Sequence, residues 1–252
     1  LFINARKKYN DKARDIILIK HYPFEEFRIK EHIPTRKRNN DVEVIKHIVA
    51  AEPKLYREQL GRDMYLLTFC LAGIAPIDLY NLKEPKDGYT NFIQDKVKER
   101  ARKVIVRIKV GKEAQAIIDK YSSHGFLSDI KKYASAKEFS RSCKVGIQSL
   151  LKRISAENVQ KVKSKEIPSF PEDVTLYWAR HSFSTIAGTM GYDTNLIDYT
   201  LGHAPSEAKM AEVYIERKQQ SVDALVDAVI KEVFYSKPQP KKKGKSEPKK
   251  DK

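Results

Sequence analysis

An arginine, a histidine and a tyrosine fall within one short stretch near the end of the chain. Arg180 lies in the segment Leu-Tyr-Trp-Ala-Arg-His-Ser-Phe-Ser-Thr, His203 closes a later Leu-Gly-His, and Tyr214 follows eleven residues on. A tyrosine oxygen attacks a phosphate effectively only when cations neutralise the charge that builds on the non-bridging oxygens. A covalent phosphotyrosine would also store the broken bond without ATP or metal. The pattern therefore predicts a phosphodiester-transfer site with Tyr214 as the nucleophile.

The same motifs resemble those of a known family. Ala-Arg-His-Ser-Phe-Ser-Thr, Leu-Gly-His and the later tyrosine resemble the tyrosine recombinase (phage integrase) family, especially the branch carried by mobile elements of Bacteroidetes. His-Tyr-Pro-Phe at 21–24 and Thr-Arg-Lys-Arg at 35–38 resemble the exit from that family's core-binding domain. The resemblance implies a predominantly helical α+β catalytic domain with a small antiparallel hairpin. It also implies site-specific recombination of double-stranded DNA through a 3′-phosphotyrosine, by a synaptic tetramer and without cofactor or metal.

The resemblance implies a role for each site residue. Arg180 and His203 would stabilise the transition state, and Tyr177 would donate a hydrogen bond to the phosphate. Each has an ordinary alternative, because Arg180 could be a helix-surface cation, His203 a loop cap and Tyr177 a half-buried aromatic. Tyr214, likewise, could be one of thirteen tyrosines that pack on a helix. His181 is expected only to support the site.

A β-hairpin would supply the general acid, which protonates the departing 5′ oxygen. Asp-Gly at 87–88 opens this hairpin, and residues 89–96 and 104–110 are rich enough in β-branched and aromatic residues to form its strands. Counting from Gly88, the resemblance assigns the acid role to Lys96, with Lys98 as the alternative. A solvated, phosphate-attracting loop is the simpler interpretation of both lysines.

The chain departs from the family at the first catalytic arginine, which a helix-turn-helix segment resembling 66–82 normally supplies. Most members would place it at the position of Ala75, and many of the Bacteroidetes branch at that of Ala72. Loss of one donor aimed at a developing oxyanion costs about 2.7–4 kcal/mol, so slow cleavage is expected. Three explanations stay open: an introduced substitution, a natural variant that uses another cation, or a degenerate enzyme that only binds DNA.

The charge of the chain favours a polyanionic partner. Of the net charge of +16, the lysine-rich stretch 236–252 contributes +6 and the preceding residues still carry +10. Double-stranded DNA attracts such a surface strongly. The cluster Arg36-Lys37-Arg38 and the hairpin residue Lys98 are the predicted DNA contacts, although a solvated charge run would look the same. A type IB topoisomerase and a catalytically silent DNA-binding regulator are the competing functions.

Several other classes find no support in the sequence. There is no Cys-x-x-Cys pair, no His-Glu-x-x-His, no phosphate loop and no Gly-x-Gly-x-x-Gly turn. Cys70 and Cys143 are predicted to be separate buried thiols and not a disulfide. Free thiols favour a location in the reducing cytoplasm. No apolar stretch is long enough to span a bilayer, so no membrane is expected.

The predicted organisation has three parts: the end of a core-binding domain and a linker at 1–33, the catalytic domain at 34–235, and a disordered basic tail at 236–252. Most of the core-binding domain would then lie upstream of residue 1. A capping box of Asn40 and Glu43 is expected to start the second helix. Apolar spacing predicts helices at 1–19, 40–51, 55–73, 76–83, 111–122, 125–133, 135–156, 176–190, 194–200, 206–216 and 221–235.

The last of these helices carries a continuous apolar stripe just after Tyr214, formed by Val222, Leu225, Val226, Val229, Ile230 and Val233. In the related family such a helix often docks on the neighbouring protomer, so the resemblance implies assembly through 221–235. Ordinary packing within the same chain is the alternative.

Overall fold

The computed structural model of the chain describes residues 2–19, 38–97, 105–203 and 215–236. They belong to two compact units, residues 1–37 and residues 38–252. The described residues are mostly helical with one small antiparallel sheet, which confirms the predicted α+β class at that level. The elements are α1 (Phe2–Tyr9), α2 (Val42–Ala50), α3 (Tyr56–Cys70), α4 (Pro76–Tyr80), β1 (Tyr89–Ile93), β2 (Ile105–Lys109), α5 (Lys112–Lys120), α6 (Ala136–Glu157), α7 (Val159–Lys163), α8 (Leu176–Thr189), α9 (Thr194–Thr200) and α10 (Ile215–Phe234).

The first unit contains a shorter helix than the sequence predicts. Helix α1 ends at Tyr9, because the side chain of Asn10 turns back and bonds both the amide and the carbonyl of Ile19, at 2.9 and 3.0 Å. Asp11 then caps a 3-10 turn at Lys12–Arg14. The expected continuous helix over 1–19 is therefore wrong after residue 9. The predicted domain limits near 33 and 236 border residues outside the described ranges and stay predictions.

The second unit is built around α3, which is buried on nearly all sides. Its main partner is α6, and the two helices meet at a pair of glycines, Gly61 and Gly146. A Cβ on Gly61 would lie 2.6 Å from the backbone carbon of Gly146, and one on Gly146 would lie 2.9 Å from that of Arg57. Only glycine allows the two backbones to approach this closely.

A buried ion pair joins the same two helices. Glu58 on α3 is 2 % exposed and accepts hydrogen bonds from Arg153 on α6, the shortest being 2.9 Å from Nη2. Arg153 also bonds Glu157 at 3.1 Å, and Ser149 donates to Glu58 at 3.1 Å. The hydrogen bonds from Arg153 are the main reason that the pKa of Glu58 lies below its ordinary value.

The sheet consists of β1 and β2, paired antiparallel from Tyr89 opposite Lys109 to Ile93 opposite Ile105. Asp87 and Gly88 both have positive φ, 51° and 77°, and form a tight turn that leads into β1. Lys86 and Tyr89 close this turn with two reciprocal 2.9 Å hydrogen bonds. The turn therefore precedes the hairpin, as Asp-Gly at 87–88 predicted, and two consecutive left-handed residues explain the preference for this pair.

Several predicted boundaries need correction. The helix expected at 125–133 is reduced to a 3-10 turn at Ile130–Lys132, because Gly125 and Leu127 have positive φ. The capping box is wrong: α2 has Asp41 as its N-cap residue and no side-chain cap. The side-chain amide of Asn40 instead donates to the hydroxyl of Tyr65 at 2.8 Å. Helix α7 was not anticipated, and the helix predicted at 206–216 lies almost wholly outside the described residues.

Helix α10 begins at Ile215, earlier than predicted, and its apolar stripe is buried within the same chain. The six stripe residues are all at most 5 % exposed, and α10 packs against α2, β2, α8 and α9. Polar contacts flank the stripe, with Tyr89 donating to Asp223 at 2.7 Å and Lys109 to Asp227 at 3.0 Å. Packing in cis, the alternative left open by the sequence, is therefore what the structure has. Assembly through 221–235, which the resemblance implies, stays a prediction.

Cys70 and Cys143 are free and buried, and burial raises the pKa of both thiols. In the part of the chain that the structure describes, no helix has the length and apolarity needed to cross a membrane.

Candidate active site

Helix α8 positions Arg180 through the packing of its apolar face. Trp178, Ala179 and Phe183 are buried, and the ring of Phe183 meets that of Phe69 on α3 edge-on at 5.8 Å. Arg180 shares this inner side and is itself only 6 % exposed. A buried guanidinium requires partners for its donors, because an arginine stays charged inside proteins.

The partners of Arg180 come from two turns that are distant in sequence. Nη1 donates to the carbonyl of Gly73 at 2.9 Å, and Nη2 donates to the carbonyl of Leu201 at 2.7 Å. Nη2 also lies 3.2 Å from Nε2 of His203. Burial lowers the pKa of Arg180, and the nearby Tyr177, Asp78 and Asp198 partly offset this effect. Among the described residues, the hydrogen-bond partners of this cation include no carboxylate.

The contact with Arg180 fixes the tautomer of His203. Because a guanidinium can only donate, Nε2 of His203 must accept, and the proton must lie on Nδ1. Nδ1 accordingly faces Oδ1 of Asp198 at 3.0 Å. The backbone amide of His203 bonds the carbonyl of Asp198 at 2.8 Å, so the short helix α9 holds the imidazole in place. A carboxylate behind the ring would stabilise an imidazolium if Nε2 took up a proton.

Two glycines allow the turns to approach Arg180. Gly73 has a φ of 72°, and a Cβ there would lie 2.6 Å from the Cα of Arg180. Gly202 has a φ of 76°, and a Cβ there would collide with Val106 and with Nε2 of Gln94. Both positions therefore require glycine for conformation and for space.

The two positions that could have carried a further arginine differ in their surroundings. Ala72 is 2 % exposed and has a φ of 52°, in the left-handed turn that ends α3. Ala75 is half-buried, has ordinary extended backbone and directly precedes Pro76, the first residue of α4. A long side chain fits Ala75 better, because it meets neither the strained backbone nor the closed packing of Ala72.

Lys96 lies in a 3-10 turn, Asp95–Val97, and not in a strand as the sequence predicted, because β1 ends at Ile93. Its side chain is exposed. The residues before it are anchored: Gln94 donates to the carbonyl of Leu201, and the amide of Asp95 donates to Asp78 at 2.8 Å. The hairpin is thus tied to the turn that also holds Arg180.

Tyr177 and His181 lie one helical turn apart on α8. Tyr177 is 44 % exposed, and its ring meets that of His181 edge-on with centroids 5.0 Å apart. Partial desolvation and the positive charges of Arg180 and Arg38 lower the pKa of His181. Arg38 is exposed and lies two residues before Asn40, whose backbone N–H donates to the hydroxyl of Ser182 on α8 at 2.8 Å. Arg38 lies near His181, and Tyr177 lies near Arg180. We call the surroundings of Arg180 that are formed by Gly73, Leu201 and His203 the Arg180 pocket.

The remaining predicted site residues, Arg36, Lys37, Lys98 and the nucleophile candidate Tyr214, lie outside the described residues. Of the predicted site residues, the structure brings Arg180 and His203 into contact. The end of the hairpin, from which Lys96 follows, is anchored to the same turn through Gln94.

Sequence reasoning did not anticipate Asp78, Gln94 and Asp198. Asp198 had a usable signal, since it lies five residues before His203 at the end of a short predicted helix. Gln94 and Asp78 carried none, because their contacts join segments that are far apart in sequence.

Comparison of the chain with protein-family models, with curated proteins and with solved structures finds no match.

Proposed function

We propose that the protein is a site-specific DNA recombinase of the tyrosine recombinase type, with Tyr214 as its nucleophile. The observation that carries the proposal is the convergence of Arg180 and His203. The guanidinium is buried, oriented by two backbone carbonyls, and in contact with an imidazole 3.2 Å away. Such a preorganised cation, without a carboxylate among its described hydrogen-bond partners, suits a phosphate whose charge grows in the transition state.

The chemistry follows from the donors and acceptors of these residues. The phenolic oxygen of Tyr214 forms a bond to phosphorus, and its proton goes to Nε2 of His203, an acceptor in the free protein. The imidazolium, supported by Asp198, then donates to a non-bridging oxygen beside Arg180. The bond from phosphorus to the 5′ oxygen breaks, and Lys96 supplies the proton to that oxygen. Religation runs the same steps in reverse.

The charge distribution supports DNA as the substrate. The residues before the basic tail carry +10, and Arg38 is exposed beside α8. We place the phosphate backbone along the edge formed by Arg38, Tyr177 and His181, with Arg36, Lys37 and Lys98 as further contacts. Binding should weaken steeply with salt, since each neutralised phosphate releases counterions. Assembly of four copies on DNA and a cytoplasmic location belong to the same proposal.

The test uses a pool of nicked DNA duplexes of randomised sequence, because cleavage beside a nick releases a short strand and traps the covalent adduct. Adducts that survive denaturation are recovered and sequenced, and the attached peptide is identified by mass spectrometry. We expect the DNA to be on Tyr214, and Tyr214→Phe to abolish the adduct. Tyr235→Phe, which removes a hydroxyl bonded to Glu113 on the surface, is the matched control.

An adduct that persists in Tyr214→Phe, or that maps to another residue, would contradict the assignment. A second function is favoured by the alanines at 72 and 75, which leave the site without the usual first arginine. If the full chain binds duplex DNA yet forms no adduct with any sequence in the pool, it is a silent DNA-binding regulator.

A further inference from the structure

Gln94 is a buried amide that directly follows β1. Its side chain is 3 % exposed, and Nε2 donates to the carbonyl oxygen of Leu201. Oε1 has no hydrogen-bond partner among the described residues. A buried amide that leaves one atom unsatisfied costs stability, so a simple packing role does not explain why the position is polar.

The carbonyl that Gln94 contacts is one of the two that orient Arg180. The oxygen of Leu201 accepts from Nη2 of Arg180 at 2.7 Å and from Nε2 of Gln94 as well. The next residue, Gly202, packs so tightly that a Cβ there would lie 2.5 Å from the Gln94 amide nitrogen. The hairpin and the turn that holds Arg180 thus meet at the Leu201 carbonyl and at Gly202.

Lys96 follows Gln94 by two residues, with the amide of Asp95 bonded to Asp78 at 2.8 Å between them. The path from the Leu201 carbonyl to the backbone of Lys96 is therefore short and contains no free loop. A change at Gln94 would therefore act on the turn from which Lys96 extends, while the carbonyl of Gly73 would still accept from Arg180.

We infer that Gln94 is a positioning residue, which fixes the hairpin so that Lys96 delivers its proton to the oxygen leaving the phosphate held by Arg180. The inference rests on the proposed function, because it needs the strand-cleavage reaction. Gln94 itself contacts neither the DNA nor the reacting atoms.

The chemistry of the leaving group separates this role from general damage to the pocket. When sulfur replaces the bridging 5′ oxygen, the phosphorus–sulfur bond breaks and the electron pair leaves on a thiolate. A thiolate is stable near neutral pH and needs no proton, since a thiol has a pKa of about 8.5. A variant that has lost only proton delivery should therefore recover on the sulfur substrate, whereas one that has lost charge stabilisation should not.

The experiment compares two versions of one nicked duplex, chosen from the pool described above and carrying either oxygen or sulfur at the cleavage position. Single-turnover adduct formation is measured for the full-length wild type, Gln94→Met, Gln94→Asn and Lys96→Ala. Thr90→Val is the matched control, because Thr90 is 1 % exposed on β1, the strand that Gln94 follows, and its hydroxyl has no partner among the described residues. Thermal unfolding checks that each variant is folded.

We expect Gln94→Met to slow cleavage of the oxygen duplex about 10- to 100-fold, as a displaced catalytic group does. On the sulfur duplex it should return to within about threefold of wild type, as should Lys96→Ala. Thr90→Val should match wild type on both. Gln94→Asn, whose shorter side chain cannot reach the carbonyl, should behave like Gln94→Met and replaces it if the methionine variant does not fold.

Two outcomes would overturn the inference while leaving the proposed function intact. Folded Gln94 variants that cleave the oxygen duplex at the wild-type rate would show that the contact is dispensable. An equal loss on both duplexes would show that Gln94 acts on charge stabilisation and not through Lys96. Absence of any wild-type adduct with either duplex would instead refute the recombinase proposal, and this inference with it.

Discussion

Arg153 and Arg180 both lie in the second unit with most of their surface covered, and their partners are of opposite kinds. Arg153 bonds Glu58 and Glu157, so two carboxylates surround its charge. Arg180 bonds two carbonyls and a histidine, with no carboxylate among its described hydrogen-bond partners. The first arrangement neutralises the cation, and the second only orients it.

The difference indicates how a folded chain separates structural from functional charge. An arginine paired with buried carboxylates has little attraction left for an anion, and removing it leaves an unpaired charge behind. An arginine held by neutral carbonyls keeps its full charge for a visiting phosphate. Stability should therefore depend on Arg153, and chemistry on Arg180.

The largest effect should come from Arg180→Met. We expect adduct formation to fall about 100- to 1,000-fold, because a donor aimed at the developing charge is lost. The free energy of unfolding should fall by only about 1 kcal/mol, because two carbonyls lose a donor but a charge no longer has to be buried. Single-turnover cleavage and denaturant titration measure the two quantities. A loss of several kcal/mol in stability would erase the contrast with Arg153.

Arg153→Met should produce the reverse pattern. Glu58, which is 2 % exposed, would lose its main partner, and the free energy of unfolding should fall by about 3 kcal/mol. Adduct formation per folded molecule should equal that of wild type. The double variant Glu58→Met with Arg153→Met should recover much of the stability, because neither charge is then left buried. Failure of the double variant to recover would mean that Arg153 contributes through packing.

Adding an arginine near Arg180 tests whether a further unpaired cation increases the cleavage rate. Ala75→Arg should raise the rate of adduct formation about tenfold or more, since the half-buried position lets a second guanidinium reach the same phosphate. Ala72→Arg should destabilise the fold by about 1–3 kcal/mol, because the position is only 2 % exposed and a long side chain would overpack it. Equal gains from both would show that the turn after α3 is more adaptable than its packing suggests.

The smallest effect concerns pH. The surroundings lower the pKa of His181, so the unfolded chain binds a proton more readily than the folded chain does. Stability conferred by the neutral ring is complete above the unfolded-state pKa of about 6.5 and is lost as pH falls towards the lower folded-state pKa. His181→Asn should flatten this part of the unfolding curve. Arg38→Met should flatten it less, and an unchanged slope in both variants would exclude His181 as the cause.

Local patterns in the sequence predicted elements better than they predicted contacts. Apolar spacing located α3, α6 and α8 closely, because each helix buries a continuous face. It failed at 125–133, where positive φ at Gly125 and Leu127 breaks an otherwise helical pattern. The apolar stripe of α10 was found, but periodicity cannot tell whether its partner is the same chain or another.

The candidate site likewise contains residues that local motifs predicted and residues that only long-range contacts reveal. Arg180 and His203 were predicted because their motifs are local, and the structure brings them within hydrogen-bond distance. Gln94 and Asp78 were missed because each acts on a segment remote in sequence. The acceptors of Arg180 were invisible for another reason: they are backbone carbonyls of Gly73 and Leu201, which any residue could supply.

The glycine pair at the crossing of α3 and α6 has a mechanical consequence. With backbone resting on backbone at Gly61 and Gly146, neither helix can roll or slide without steric overlap. Hydrogen exchange in these two helices should therefore be slowest and should share one opening free energy, so that they unlock as a single cooperative block.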